Sequence, residues 1–144
     1  MRFRRFFAAA LLAGLAGSYT ISAQTKTQWD GIYTEAQATR GRALYQEKCA
    51  YCHGKTLAGF VDPDNPAPSL AGDAFAANWN NRTLSEIYDK ISMTMPQDQP
   101  GALSPAETAD VISFLLSSGK YPAGTTDLPA KSDDLKAFKF TAKQ

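Results

Sequence analysis

Both cysteines of this 144-residue chain and its one histidine fall within five consecutive positions, Cys49-Ala50-Tyr51-Cys52-His53. Whatever the chain folds into has to be built around that segment. It is the pattern through which haem c is attached: two thiols three positions apart form thioethers with the vinyl groups of one haem, and the adjacent imidazole coordinates the iron. Other uses of a Cys-x-x-Cys pair meet obstacles here. A structural zinc takes four Cys or His ligands, and the chain holds three such residues. A reducible disulfide of the thioredoxin kind opens a helix after a strand. The residues before Cys49 instead read as a helix, and no strand alternation follows.

The N-terminus bears on where attachment would happen. Arg2, Arg4 and Arg5 form a basic start, Phe6 to Gly17 is an apolar stretch, and Ser22-Ala23 places small residues before Gln24. This reads as a secretory signal peptide over residues 1–23, with an apolar run too short for a retained membrane anchor. The expected location is therefore the periplasm, an oxidising compartment in which unattached cysteines would pair with each other. Residues 24–144 are then one small domain, expected as a globule over 24–128 followed by a C-terminal extension over 129–144.

Charge narrows the partners. Residues 24–144 carry 12 Lys and Arg against 14 Asp and Glu, a formal net of −2. Nucleic-acid binders show a clear basic excess, so this balance argues against them. Lys131, Lys136, Lys139 and Lys143 make the extension mildly basic, and it is expected to be a solvated tail packed loosely on the domain.

Helix starts are written plainly. Thr34 and Gln37 fit a capping box for a helix from Glu35 to Cys49, which delivers the attachment segment. Thr83 and Glu86 form another box, with Leu84, Ile87, Tyr88 and Ile91 at helical spacing over about Leu84 to Ser92. Ser104, Pro105 and Glu107 start a third helix, Pro105 to Ser118, closed by Gly119. Its Val111, Ile112, Phe114, Leu115 and Leu116 are apolar over more than one face, as suits a helix packed between another helix and a cofactor. The connection from Gly54 to Arg82 contains Pro63, Pro66 and Pro68 and reads as a long structureless loop. Loops of that length in small domains are usually functional. A porphyrin would give Leu57, Phe60, Leu70, Phe75 and Trp79 a surface to bury against.

No second histidine exists to ligate iron from the other side, so the candidates are Met93 and Met95. Methionine is a suitable soft axial ligand, and His/Met ligation raises the reduction potential. Pro96 disfavours the α conformation at Met95 and lets its side chain leave the helix end, which selects Met95 over Met93. The alternative use of either residue is core filling.

In this order and spacing the residues resemble the class I cytochrome c family, especially small bacterial periplasmic members and the cytochrome modules associated with quinoprotein alcohol dehydrogenases. The resemblance covers most of residues 29–128. It is carried by Gly41 with Tyr45, Cys49 to Gly54, Ala67-Pro68-Ser69-Leu70-Ala71-Gly72, Phe75 with Trp79, Thr94-Met95-Pro96, and Ile112 to Leu116. It implies an all-α, class I cytochrome c-like fold with three main helices packed around one covalently attached haem c. It further implies that Gly41 lets the first and last helices approach closely, that the Pro68 carbonyl accepts a hydrogen bond from the His53 ring, and that Trp79 steadies a haem propionate. The expected cofactor-binding set is Cys49, Cys52, His53, Pro68, Trp79 and Met95, with His53 and Met95 on the iron. The segment Gly59 to Asn65 and the tail after Leu128 match no family element.

The expected function is single-electron transfer by Fe(III)/Fe(II) cycling in a carrier that is not itself an enzyme. Its partners would be redox donor and acceptor proteins, such as a quinoprotein dehydrogenase and a terminal oxidase, met through small, transient interfaces. Two alternatives stay open. The chain could be a haem subunit of a dehydrogenase or oxidase complex, or an open-site sensor or peroxidase. The latter would lack a distal histidine to move protons.

Overall fold

The computed structural model describes residues 25–60 and 66–142; the leader expected over residues 1–23 lies outside them, as do residues 61–65 of the unmatched segment. In chain order the described elements are β1 (Lys26–Thr27), a 3-10 turn (Gln28–Asp30), α1 (Glu35–Lys48), α2 (Ala50–His53), α3 (Gly72–Trp79), α4 (Leu84–Thr94), α5 (Pro105–Ser118), α6 (Ser132–Leu135) and β2 (Phe138–Lys139). The architecture is helical, as expected. The two strands form one short parallel ladder, Lys26 opposite Phe138 and Thr27 opposite Lys139.

α1 and α5 cross at the centre, and the crossing is set by one missing side chain. A Cβ built on Gly41 would lie 1.8 Å from the Asp110 carbonyl oxygen and 3.0 Å from Phe114 Cβ. The helices therefore touch backbone to backbone, which no larger residue permits. One turn along, the Tyr45 and Phe114 rings lie 5.1 Å apart. Across the same crossing Arg40 meets the nearly buried Asp110 through two bonds of 2.8 and 2.9 Å, and also reaches Asp127 at 3.1 Å. Every residue of α5 from Thr108 to Leu116 is buried, which explains why its apolar pattern spreads around the helix.

Capping follows the sequence closely for α4 and α5, where Thr83 with Glu86 and Ser104 with Glu107 both close full boxes. At α1 only half of the box forms. The Thr34 hydroxyl accepts from the Gln37 backbone N–H at 3.1 Å, but the Gln37 side chain turns inward instead. Its amide donates to the Leu128 carbonyl at 3.1 Å and its oxygen accepts from the Leu128 N–H at 2.7 Å. A buried amide with both ends paired is stable where a solvated box partner was expected. α4 also runs to Thr94, two residues beyond the expected end.

Two expectations are corrected. The Gly54 to Arg82 connection is not structureless throughout, because α3 occupies Gly72–Trp79 and packs Phe75 into the core. The three prolines precede α3, so they do not break it. The C-terminal extension is not a loose tail either. Leu135 and Phe140 are fully buried members of the main core, and Phe140 stands edge-on to Phe75 and Tyr121 at 5.9 and 5.6 Å. Apolar residues spaced singly among lysines supply few but deep anchors.

Candidate haem site

The site begins where α1 ends. Cys49 leaves helical geometry at φ −123° while its N–H still bonds the Tyr45 carbonyl at 2.9 Å. The single turn of α2 follows, with Cys52 and His53 N–H groups both directed at the Cys49 carbonyl at 3.2 and 3.0 Å. Gly54, at φ 76°, ends the turn and turns the chain outward. One helical turn thus carries both thiols and the imidazole, which is the reach that two thioethers and an iron bond to one porphyrin demand. Cys49 and Cys52 are half-buried free thiols. Burial pushes the Cys49 thiol up to about 11, with Lys48 opposing that shift and Cys52 adding to it. Tyr51, between them, is exposed.

His53 is buried, and its Nδ1 lies 2.9 Å from the Pro68 carbonyl oxygen. A carbonyl can only accept, so Nδ1 carries the proton and Nε2 keeps its lone pair for a metal. The loop bearing Pro68 is held from several sides. The Tyr45 hydroxyl donates to the Gly54 carbonyl at 2.7 Å, Gly59 N–H bonds the His53 carbonyl at 2.9 Å, and Leu70 N–H bonds the Leu57 carbonyl at 2.8 Å. Phe60 and Ala67 pair as an isolated antiparallel bridge. Gly59 permits this fold-back, since at φ 74° a Cβ there would stand 2.4 Å from the Ala67 carbonyl oxygen. Ser69 completes the loop by donating toward the Leu57 and Ala71 carbonyls at 3.1 and 2.8 Å.

Among the partly buried apolar side chains against the core are Cys49, Leu70, Ala71, Ala76, Trp79 and Ile91. They come from the end of α1, the loop, α3 and α4, and each packs against the hydrophobic core to which Ala50 of the attachment segment belongs. The Trp79 ring lies 6.3 Å from the Phe75 ring, and the Arg82 guanidinium sits over the indole, 4.4 Å from its centroid. Met95 caps α4 with extended backbone, φ −124° and ψ 149°, as Pro96 leads one to expect. Met95 is half-buried, whereas Met93 is 65% exposed. Neither methionine is among the side chains that fill the core.

Of the six expected site residues, the structure joins Cys49, Cys52, His53 and Pro68 into one bonded unit. Trp79 and Met95 stand on separate elements, at the ends of α3 and α4. The sequence reading missed Tyr45, Gly59 and Ser69 as the residues that hold the Pro68 loop. Tyr45 and Ser69 were read only as parts of matching motifs, and Gly59 belonged to a segment without a counterpart. The donor set fits haem c: two thiols on one turn, an imidazole with its proton fixed away from the iron-binding nitrogen, and a hydrophobic core against which Cys49 packs. Among the described residues no group of three or more His, Cys, Asp or Glu side chains is arranged to hold a bare metal ion.

Comparison with known proteins agrees with this chemistry. Residues 36–115 match the family described as cytochrome c oxidase, cbb3-type, subunit III. The chain is 31% identical over 81 residues to a cytochrome c-553-like protein of Synechocystis sp., an alignment covering 56% of this chain and 69% of that one. It is 41% identical over 58 residues to cytochrome c-551 of Bacillus subtilis, covering 40% and 50%. A third relative, a thiosulfate dehydrogenase of Psychrobacter arcticus, is 33% identical over 86 residues, which span 56% of this chain but only 25% of the dehydrogenase. In fold, the chain is similar to the crystal structure of the sulfane dehydrogenase SoxCD from Paracoccus pantotrophus, with TM-score 0.55, 23% identity, and coverage of 78% of this chain and 61% of that one. The matched family spans more than half of the chain and includes its attachment segment: the chain belongs to the cytochrome c family, whose members hold haem c covalently and transfer electrons with it.

Proposed function

We propose that this chain is an exported, periplasmic monohaem cytochrome that carries single electrons between redox proteins, with His53 and Met95 as the axial ligands. The observation that carries the reading is the contrast between the two methionines: Met95 is half-buried on extended backbone at the end of α4, while Met93 is 65% exposed. Bound haem supplies the redox chemistry, one electron at a time between Fe(III) and Fe(II). The protein's part is to hold the ligands still. Cys49 and Cys52 tether the cofactor, the Pro68 carbonyl fixes the His53 ring and its tautomer, and the bonds of Tyr45, Gly59 and Ser69 hold the Pro68 loop. Trp79 has the role of steadying a propionate. Held by both His53 and Met95, the iron would be closed to substrate, and the chain would serve as a carrier and not as an enzyme.

The ligand assignment is tested by the optical spectrum of the oxidised protein. Met95→Ala is expected to abolish the methionine-to-ferric-iron charge-transfer band and Met93→Ala to leave it. The reverse pattern, or a band that survives in both variants, would overturn the assignment, and absence of the band from the unaltered protein would favour an open-site sensor or peroxidase.

Residues 1–23 act as the export signal in this reading, and the folded domain reaches to residue 142 instead of ending at 128. No helix among the described residues is long and apolar enough to cross a membrane. N-terminal sequencing of the periplasmic fraction should begin at or near Gln24. A second reading, a haem subunit of a larger complex, is favoured by the oxidase-subunit description of the matched family and by the thiosulfate dehydrogenase relative, of which the alignment spans a quarter. That relative also favours a dehydrogenase partner of its own kind over a quinoprotein enzyme, with a terminal oxidase as acceptor. Purification from the native source separates the two: a carrier elutes alone, and a subunit elutes with a dehydrogenase or oxidase.

A further inference from the structure

The end of the chain lies against the one turn that joins the two elements bearing Trp79 and Met95. Four consecutive residues of that turn, Asn80 to Thr83, are held by three residues near the C-terminus, Lys139, Phe140 and Ala142. Ala142 N–H bonds the Asn80 side-chain oxygen at 2.8 Å, Asn81 N–H bonds the Phe140 carbonyl at 2.8 Å, Phe140 N–H bonds the Arg82 carbonyl at 2.8 Å, and Thr83 bridges Lys139. From the other side the buried Gln28 side chain pairs with both backbone groups of Thr141, accepting from its N–H at 3.0 Å and donating to its carbonyl. The Phe140 ring is buried edge-on against Phe75 of α3.

We propose that residues 139–142 are a positioning strap for the Met95 side of the haem site, fixing the angle at which α3 and α4 leave the Asn80–Thr83 turn. The strap's role rests on the ligation by Met95 proposed above. α4 is a lever in this arrangement. Its 11 residues span roughly 16 Å at 1.5 Å per residue, so a tilt of about 10° at the strapped end moves the far end by about 3 Å. A coordinate bond does not tolerate that displacement. The attachment segment, carried by α1 and α2, has its own bonds and does not depend on the strap.

The test compares Phe140→Ala and Asn80→Ala with Gln37→Ala, which removes a buried pairing at Leu128 remote from the turn. Covalent haem content, the ferric methionine charge-transfer band, the midpoint potential and the melting temperature are read for each. Phe140→Ala is expected to keep its haem, lose half or more of the band and show a lower potential, since methionine ligation raises it. Asn80→Ala, which deletes a single bond, should change the same quantities in the same direction by less. Gln37→Ala should melt earlier with its band and potential intact. A haem-loaded, folded Phe140→Ala protein with an unchanged band and potential overturns the proposal. So does a Gln37→Ala variant that loses as much of the band, because the effect would then be general loosening. If Phe140→Ala does not accumulate, Asn80→Ala decides alone. Absence of the band from the unaltered protein overturns the Met95 reading and the strap with it, whereas a band that persists in the variants overturns the strap only.

Discussion

The attachment segment with the described parts of its loop, residues 45–60 and 66–71, and the C-terminal segment, residues 127–142, are both mostly irregular backbone, yet they are held in different ways. The first is stapled by partners close in sequence: Tyr45 to Gly54, His53 to Pro68, Leu57 to Leu70. The second is held from far along the chain: Asn80, Gln37 and Gln28, 62 to 113 positions away, each use a side chain to pair with its backbone, and Asn81 and Arg82 pair with Phe140 backbone to backbone. A chemical site needs its geometry settled locally, because attachment happens to a short stretch of chain. The closing segment has no such need and uses whatever surface the finished fold offers.

The comparison breaks most visibly at Cys52. Cys52→Ala is expected to leave haem attachment impaired while the C-terminal packing stays available; intact-mass measurement of a fully and normally loaded mutant would contradict the motif reading. Gly41→Ala attacks the crossing on which both regions depend. Its new Cβ has backbone, not a flexible side chain, in its way, and overpacking of this kind costs about 3 kcal/mol, to be read from urea denaturation. Gln37→Ala separates the regions. It strands the buried Leu128 N–H and carbonyl at a cost of about 2 kcal/mol, without changing haem content. The smallest effect is expected at Asp127, where hydrogen bonding by Thr34 and then by Arg40 holds the carboxyl below its ordinary value of 3.8. A lowered folded-state value means the contribution is complete above the unfolded value and disappears as pH falls through the folded one. Asp127→Asn should therefore flatten the acid side of the stability profile below about pH 4 and leave neutral pH little changed, because the pair is half-exposed.

The same contrast explains what could be read from the amino-acid order. The attachment turn and the starts of α1, α4 and α5 are written in residues a few positions apart, so local chemistry is enough to place them, whereas the His53–Pro68 bond joins residues 15 positions apart and follows only from the family resemblance. α3 was missed because nothing marks its start: Ala71 stands at its N-cap without a side-chain bond, and the prolines just before it dominate the reading. The spacing makes Gln37 a box partner for Thr34, but only the folded chain shows that Leu128 competes for its amide and wins. Leu135 and Phe140 form no periodic pattern with their lysine-rich neighbours, so their burial depends on a surface made by α3, α4 and Tyr121. Met95 falls between these cases: its extended backbone follows from Pro96, but the ligation proposed for it depends on where α4 is aimed.

The parallel ladder between Lys26–Thr27 and Phe138–Lys139 has a consequence for modularity. Strands in such a ladder lie about 5 Å apart, so the chain enters the fold and approaches its exit as next neighbours running the same way. A domain whose two ends are adjacent can be appended to another polypeptide, or inserted between two parts of one, without rerouting its core. Sequence joined at either end of this fold would start from the same patch of surface, beside the strap.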